Sequence, residues 1–254
     1  MADTPLAGLN IVVTRPKEQA APLRQRIEQL GGHVLLFPLL EISPPQDLLA
    51  LQQAIARLSE FDLAIFISPN AVRFAMSEIK QKGGLPSELK VATVGQGSSK
   101  ALRDLGVMKV IAPLGQGDSE ALLALPELQH VQGWKVAIFR GDGGRELLGD
   151  TLKQRGAAVE YVTCYQRSKS QQNIQQLLES KPQAITLSSS EALTYLGELL
   201  EKSGQAVLHE AVLFVSHERI AASAKKQGWQ HIYQSAAGDE GVISTLIAWA
   251  KKRH

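Results

Sequence analysis

The sequence predicts an α/β fold with parallel sheets, written twice along the chain. Three observations predict it. Short apolar runs of strand length recur throughout, amphipathic stretches of helix length separate them, and a set of matched blocks occurs twice in the same order. Continuous apolar runs of roughly four to six residues suit parallel strands covered on both faces. Their alternation with helical periods is the pattern of a doubly wound architecture.

The apolar runs are Ile11–Val13, Val34–Leu40, Leu63–Ile67, Val91–Val94, Val136–Phe139, Ala184–Leu187 and Val212–Val215. Between the first two, Lys17–Leu30 places Leu23, Ile27 and Leu30 on one helical face and stops at Gly31-Gly32, a helix-ending signal. Ser190–Lys202 does the same with Leu193, Leu196 and Leu200 before Gly204.

The duplication is read from three blocks. Ile11-Val12-Val13-Thr14-Arg15 lines up with Val136-Ala137-Ile138-Phe139-Arg140 at an offset of 125, and Gly31 with Gly156 and Val34 with Val159 at the same offset. Phe66–Val72 lines up with Leu187–Leu193, and Val91–Gly95 with Val212–Ser216, both at an offset of 121. Both copies then run a helical stretch to a glycine, Gly106 and Gly228. The plainer account is that any two α/β halves look alike, but three blocks in one order argue for duplication. Two related halves imply two lobes, with a cleft between them as the expected binding place.

Composition removes several function classes. Lys plus Arg total 27 against 25 for Asp plus Glu, a formal net charge of +2. With no dense Lys/Arg stripe before the last four residues, this is not a nucleic-acid footprint. Cys164 is the single cysteine, so neither a disulfide within the chain nor a tetrathiolate metal site is available, and the usage fits a reducing compartment. The first ten residues lack the pattern of a signal peptide. No apolar run approaches the roughly 18 residues of a membrane helix. A cytoplasmic protein without a membrane or nucleic-acid partner is expected.

In open α/β sheets, ligands bind beyond the carboxyl ends of the strands. The turns that matter are therefore Thr14-Arg15-Pro16, Ser68-Pro69-Asn70, Gly95–Ser99, Arg140–Arg145, Ser188–Ser190 and Ser216–Arg219. Such residues cap helices and leave backbone N–H groups free at helix N-termini, where anions are stabilised. One such turn is only a capped helix. Six on the same edges suit a ligand with several carboxylates or phosphates. Arg15, Arg140, Arg145 and Arg219 lie in these turns and can each fork onto a carboxylate; taken singly, each also reads as a surface arginine. Arg140-Gly141-Asp142-Gly143-Gly144-Arg145 allows close backbone approach, yet it is neither a P-loop nor a dinucleotide fingerprint.

Other chemistries have no footing. None of the six histidines pairs with another His or Cys at metal-ligand spacing. The Gly-x-Ser-x-Gly elbow is absent, and no close carboxylate pair falls in the turns. Asp142 and Glu218 are read as favouring helix N-termini, His217 as a solvated loop residue, and Cys164 as a small buried side chain. Tyr165 stands apart, after the strand ending at Val162: its phenol can donate a proton to a leaving group, or it is a packing residue at the junction of the lobes.

At this point the residues resemble uroporphyrinogen-III synthases. The segments that carry the likeness are Ile11–Pro16, Gly32–Pro38, Phe66–Val72, Val94-Gly95 before a Ser/Thr turn, Gly117–Glu120, Arg140–Arg145, Gly156–Val159 through Tyr165-Gln166-Arg167, and Ser216–Ala221. They span nearly the whole chain in order. Each is short, and the ordered set carries the weight.

The resemblance implies two flavodoxin-like α/β domains related by internal duplication and joined by a two-segment linker. Residues 1–36 plus 171–254 would form one domain and 42–161 the other, with 37–41 and 162–170 as linker segments; the repeat alone would cut the chain near residue 130. It also implies the reaction. Hydroxymethylbilane, a linear tetrapyrrole polycarboxylate, loses its terminal hydroxyl as water, inverts its last ring through a spiro intermediate and closes to uroporphyrinogen III. No cofactor and no metal is expected, because the pyrrole nitrogens supply the electron push. Holding the substrate ends would carry most of the catalysis.

Residue by residue, Tyr165 matches the family tyrosine proposed to assist departure of the hydroxyl. Ser68, Asn70, Ala71 and Val72 match the first-lobe turn, and Ser98 or Ser99 stands where many members carry Thr. Arg15, Arg140 and Ser189 match cleft-edge positions, with Gly141 and Arg145 in the same glycine-rich turn, and Arg219 matches a Glu-Arg pair of bacterial members. A monomer is implied, with transient handover from hydroxymethylbilane synthase. Two other readings are weighed: an anion-binding module without catalysis, disfavoured by the lack of a signal peptide or effector segment, and a flavodoxin-like or sugar-phosphate enzyme, disfavoured because Thr14-Arg15-Pro16 is too short for a flavin phosphate loop.

Overall fold

The computed structural model describes residues 4–115, 117–204, 208, 211–236 and 238–253. In chain order they form β1 (Asn10–Val13), α1 (Lys17–Gln29), β2 (His33–Leu36), β3 (Leu40–Ser43), α2 (Leu49–Ala56), β4 (Leu63–Phe66), α3 (Pro69–Gln81), β5 (Lys90–Thr93), α4 (Gln96–Asp104), α5 (Ser119–Leu123), β6 (Lys135–Gly141), α6 (Leu147–Gln154), β7 (Ala158–Lys169), α7 (Ile174–Glu179), β8 (Ala184–Leu187), α8 (Ser190–Ser203), β9 (Val212–Val215), α9 (Glu218–Lys226), β10 (Ile232–Gln234) and α10 (Gly238–Ala250). None of these helices is long and apolar enough to cross a membrane.

The chain divides into two compact units, Met1–Glu41 with Ser168–His254, and Ile42–Arg167. The first holds a sheet in the order β10-β9-β8-β1-β2, and the sheet of the second runs β3-β7-β6-β4-β5. Strand pairs β1·β2, β1·β8, β8·β9 and β9·β10 are parallel, as are β4·β5, β4·β6 and β6·β7. Read from β2, the first sheet has the flavodoxin-like order 2-1-3-4-5. Read from β7, the second begins the same way, β7-β6-β4-β5, and Ile111 bridges to Ala92 at the position that β10 fills in the first unit. The matched sequence blocks therefore occupy matched places: β1 and β6, β2 and β7, β8 and β4, β9 and β5. Each unit takes its strand–helix–strand arm from one sequence repeat and the rest of its sheet from the other.

The apolar runs are continuous because successive residues enter opposite cores. In β6, Ala137 and Phe139 pack under α3 and α4 with Val72, Ile79 and Leu102, while Val136 and Ile138 pack with Leu122, Leu148 and Leu152 of α5 and α6. Phe66 of β4 stacks on Phe139 at 4.9 Å between centroids, which adds about 0.5–1.5 kcal/mol to their burial. The first unit has the same two faces, with Leu193, Leu196 and Ile220 on one side and Leu23, Ile27 and Leu246 on the other.

Two elements differ from the sequence expectation. Val34–Leu40 reads as a single run but is two strands in two sheets, β2 and β3. Pro38 lies between them, without an N–H for a ladder. Beyond the strand end expected at Val162, β7 runs on to Lys169. Near that point its register slips: Arg140 faces Thr163, but Gly141 faces Tyr165. Cys164 is the extra residue of a β-bulge. Strict alternation would turn Tyr165 to the face of Tyr161. The bulge instead puts Val162, Cys164 and Tyr165 in one core beneath α3, while Tyr161 packs on the other.

Candidate active site

The carboxyl end of the second unit's sheet carries the most concentrated chemistry. Tyr165 has no exposed surface. Its ring packs beside Phe74 of α3, 6.1 Å between centroids, and against the backbone of Gly141: a Cβ there would lie 2.7 Å from the ring. Gly141 is thus a glycine because Tyr165 occupies the space of its side chain. The Tyr165 hydroxyl lies 3.1 Å from Ser68 Oγ and accepts a hydrogen bond from Arg167 Nη2 at 3.1 Å. The guanidinium also sits 5.4 Å from the phenol ring centroid, a cation–π distance. Asp142 holds the end of β7 in place, accepting the Arg167 N–H through Oδ1 at 3.0 Å while its own N–H donates to the Tyr165 carbonyl at 3.0 Å. Asp142 is therefore a turn anchor, not the helix-terminus acid that the sequence suggests.

Ser68 is the N-cap of α3, where its Oγ accepts from Ala71 N at 3.1 Å. Pro69 follows at the first helical position, where its missing N–H costs nothing. Ala71 and Val72 have fully buried side chains, and their N–H groups go to Ser68 Oγ and the Ser68 carbonyl; both serve the core under α3. The start of α4 lies alongside. A Cβ at Gly97 would be 3.6 Å from Pro69, so two helix N-termini adjoin. Ser98 and Ser99 are buried in the first turns of α4, and the Ser99 hydroxyl has no partner among the described residues. Asn70 is half-buried in the first turn of α3.

Arg140 and Arg145 lie apart from this group. Arg140 turns to the opposite face of the sheet, 6% exposed, with Nε donating to the Gly143 carbonyl at 3.1 Å and its guanidinium 4.6 Å from the Tyr161 ring centroid. It lines a pocket of about 210 Å³ with Ile67, Asp118, Ser119, Leu148 and Tyr161. Arg145, exposed, forks onto Glu120 at 2.8 and 3.4 Å. Burial, and next the Asp150 charge, raise the Tyr161 phenol above its usual range. Burial pushes the Cys164 thiol up to about 12, so it is no nucleophile near neutral pH.

In the first unit, Arg15 pairs with Asp239 at the start of α10. By the offsets of 125 and 121, this pair corresponds to Arg140 and Asp118. There the ion pair is not made: Asp118 caps α5 through Ala121 N at 2.8 Å, and among the described residues Arg140 has no carboxylate partner. The duplicated arginine is neutralised in one unit and open in the other. Ser189 caps α8 through Ala192 N at 3.3 Å, matching Ser68. Arg219 is exposed in the first turn of α9, after His217 at the N-cap position.

Arg167 is the functional candidate that sequence reasoning missed, although it stands in the quoted Tyr165-Gln166-Arg167. Spacing of two along a strand is the signal that places it on the phenol's face.

Comparison with known proteins bears on the family and the fold. A profile described as uroporphyrinogen-III synthase HemD matches residues 21–243. The uroporphyrinogen-III synthase of Escherichia coli K12 is 37% identical over 242 residues, 92% of this chain and 98% of that protein. The chain belongs to the uroporphyrinogen-III synthase family. The Salmonella typhimurium synthase is 35% identical over 241 residues, with the same coverage. Among solved structures, a mutant uroporphyrinogen III synthase of Thermus thermophilus superposes with a TM-score of 0.65 at 19% identity, covering 97% of this chain and all of that one. The Helicobacter pylori enzyme gives 0.62 at 15% identity, covering 95% and 99%. These two likenesses speak for the two-sheet α/β fold.

Proposed function

We propose that this family member closes hydroxymethylbilane to uroporphyrinogen III, with inversion of the last ring and loss of water, as a lyase of tetrapyrrole biosynthesis. The observation that carries the proposal is the hydrogen-bonded set at the end of β7, where the Tyr165 hydroxyl is held between Ser68 and Arg167. A phenol so placed serves as the acid that helps the terminal hydroxyl leave. Departure is the step that needs a proton; the pyrrole nitrogens provide the electrons.

Binding is proposed to rest on the turns at the carboxyl ends of the strands. The α3 and α4 N-termini, with Ser68, Asn70 and Ser98, offer hydroxyl and N–H donors to carboxylates. Arg140 offers a buried guanidinium without an acid partner among the described residues, and Arg145 an exposed one that is paired with Glu120. Arg15, Ser189 and Arg219 of the first unit are proposed as further donors, Arg15 with its charge already shared with Asp239. The working enzyme is proposed to be a cytoplasmic monomer that receives substrate from hydroxymethylbilane synthase.

The test is product analysis. Purified protein is given freshly generated hydroxymethylbilane, the products are oxidised, and uroporphyrin isomers I and III are separated. Isomer III in large excess is expected. Isomer I at the rate seen without protein would overturn the proposal and favour an anion-binding module.

A further inference from the structure

The phenol proposed as the acid is sealed in. Tyr165 has no exposed surface, and its hydroxyl meets two side chains only among the described residues, Ser68 and Arg167. Arg167 can only donate, so it fills a lone pair of the phenol oxygen. The phenol hydrogen is then left for Ser68 Oγ. Ser68 Oγ already accepts from Ala71 N, and with the phenol hydrogen both its lone pairs are used. Its own hydrogen is free to point outward, and Ser68 is half-buried rather than sealed. The order of donation runs one way, from the arginine, through the phenol, to the serine.

We propose that Arg167 is the positioning residue for Tyr165, and that Ser68 Oγ is the atom that delivers the proton to the departing hydroxyl. The proposal rests on Tyr165 being the acid of the reaction. In the step, the carbon–oxygen bond of the hydroxymethyl group breaks and its electron pair leaves with the oxygen. The Ser68 hydrogen joins that oxygen to form water, and the Tyr165 hydrogen moves to Ser68 Oγ. The phenolate is held by the Arg167 guanidinium. The hydrogen lost when the last ring regains aromaticity returns through Ser68 to the phenolate, and no other reactant is needed. Arg167 suits the part: its side chain is exposed, it makes no ion pair among the described residues, and its backbone is fixed by Asp142.

The test compares Arg167→Met, Arg167→Lys, Tyr165→Phe and the double variant Arg167→Met/Tyr165→Phe, each checked for a wild-type melting temperature. Because one hydrogen bond to a charged group is worth roughly tenfold or more, Arg167→Met should lower kcat by about that factor with KM within about twofold. Arg167→Lys, which keeps a charged donor, should recover part of the loss. In the Tyr165→Phe background the Arg167 substitution should cost nothing more. A raised KM with unchanged kcat would overturn the proposal and make Arg167 a contact to a substrate carboxylate. Losses that multiply in the double variant would overturn it as well. Full activity of Tyr165→Phe would instead remove the acid reading beneath it, an outcome distinct from either. Should Arg167→Met misfold, Arg167→Gln keeps a donor without the charge and is read by the same criteria.

Discussion

Gly141 and Tyr165 are matched across two strands, and each explains the other. A methyl group on Gly141 would sit inside the van der Waals radius of the phenol ring. Gly141→Ala is expected to cost about 1–3 kcal/mol, as overpacking does, and to lower turnover by displacing the hydroxyl from Ser68 and Arg167. Thermal melting and kcat measured on one preparation check it. Cys164 gives an independent reading of the same strand. Its thiol is raised from 9.0 to about 12 by burial, so the native protein should resist iodoacetamide at pH 8 and react after unfolding. The fold favours the neutral thiol. That contribution is whole below pH 9 and is lost as the pH climbs towards 12; alkaline melting curves report it. From sequence alone, Cys164 reads correctly as a small buried residue. Packing is one of the two readings that the sequence allows Tyr165, but the face it packs on is not legible, because a bulge depends on the partner strand and leaves no mark in the periodicity of its own.

At the scale of elements, caps and glycine stops are local and legible. Lys17–Leu30 and Ser190–Lys202 lie within a residue of α1 and α8, and Gly204 takes the left-handed conformation at the end of α8, with φ of 65°. Ser68 and Ser189 cap corresponding helices. Replacing either with Ala removes an N-cap, at about 1 kcal/mol, and should lower the melting temperature by roughly 2–4 °C, as calorimetry would show. What the chain hides at this scale is which strands share a sheet. Val34–Leu40 is one hydrophobic run apart from Pro38, and hydropathy does not show that β2 and β3 belong to different sheets. The same holds for Arg140 and Ser68: Arg140 is still within β6, on the face of Val136 and Ile138, whereas Ser68 lies past the end of β4 and caps α3, which packs on the other face.

At the scale of the whole molecule, the sequence repeat and the compact unit are different objects. A fragment of residues 40–169 contains all five strands of one sheet and both of its cores. It should fold alone, with mixed α/β circular dichroism and a cooperative melt. A fragment of residues 1–130 follows the repeat, but it holds only β1 and β2 of one sheet and β3, β4 and β5 of the other. It should remain largely unstructured. A folded 1–130 fragment would mean that repeat pairing, not the observed sheet order, governs stability.

The crossed origin of the sheets has a historical reading. Each repeat lends a strand–helix–strand arm to the sheet that the other repeat completes, which is the arrangement of a homodimer whose subunits have exchanged an arm. The stretch near residue 130 that joins the repeats holds no strand. Severed there, each half would carry strands of both sheets and complete neither. An insertion in one arm would then be felt in the sheet that the other repeat completes, so the two repeats are constrained to change together.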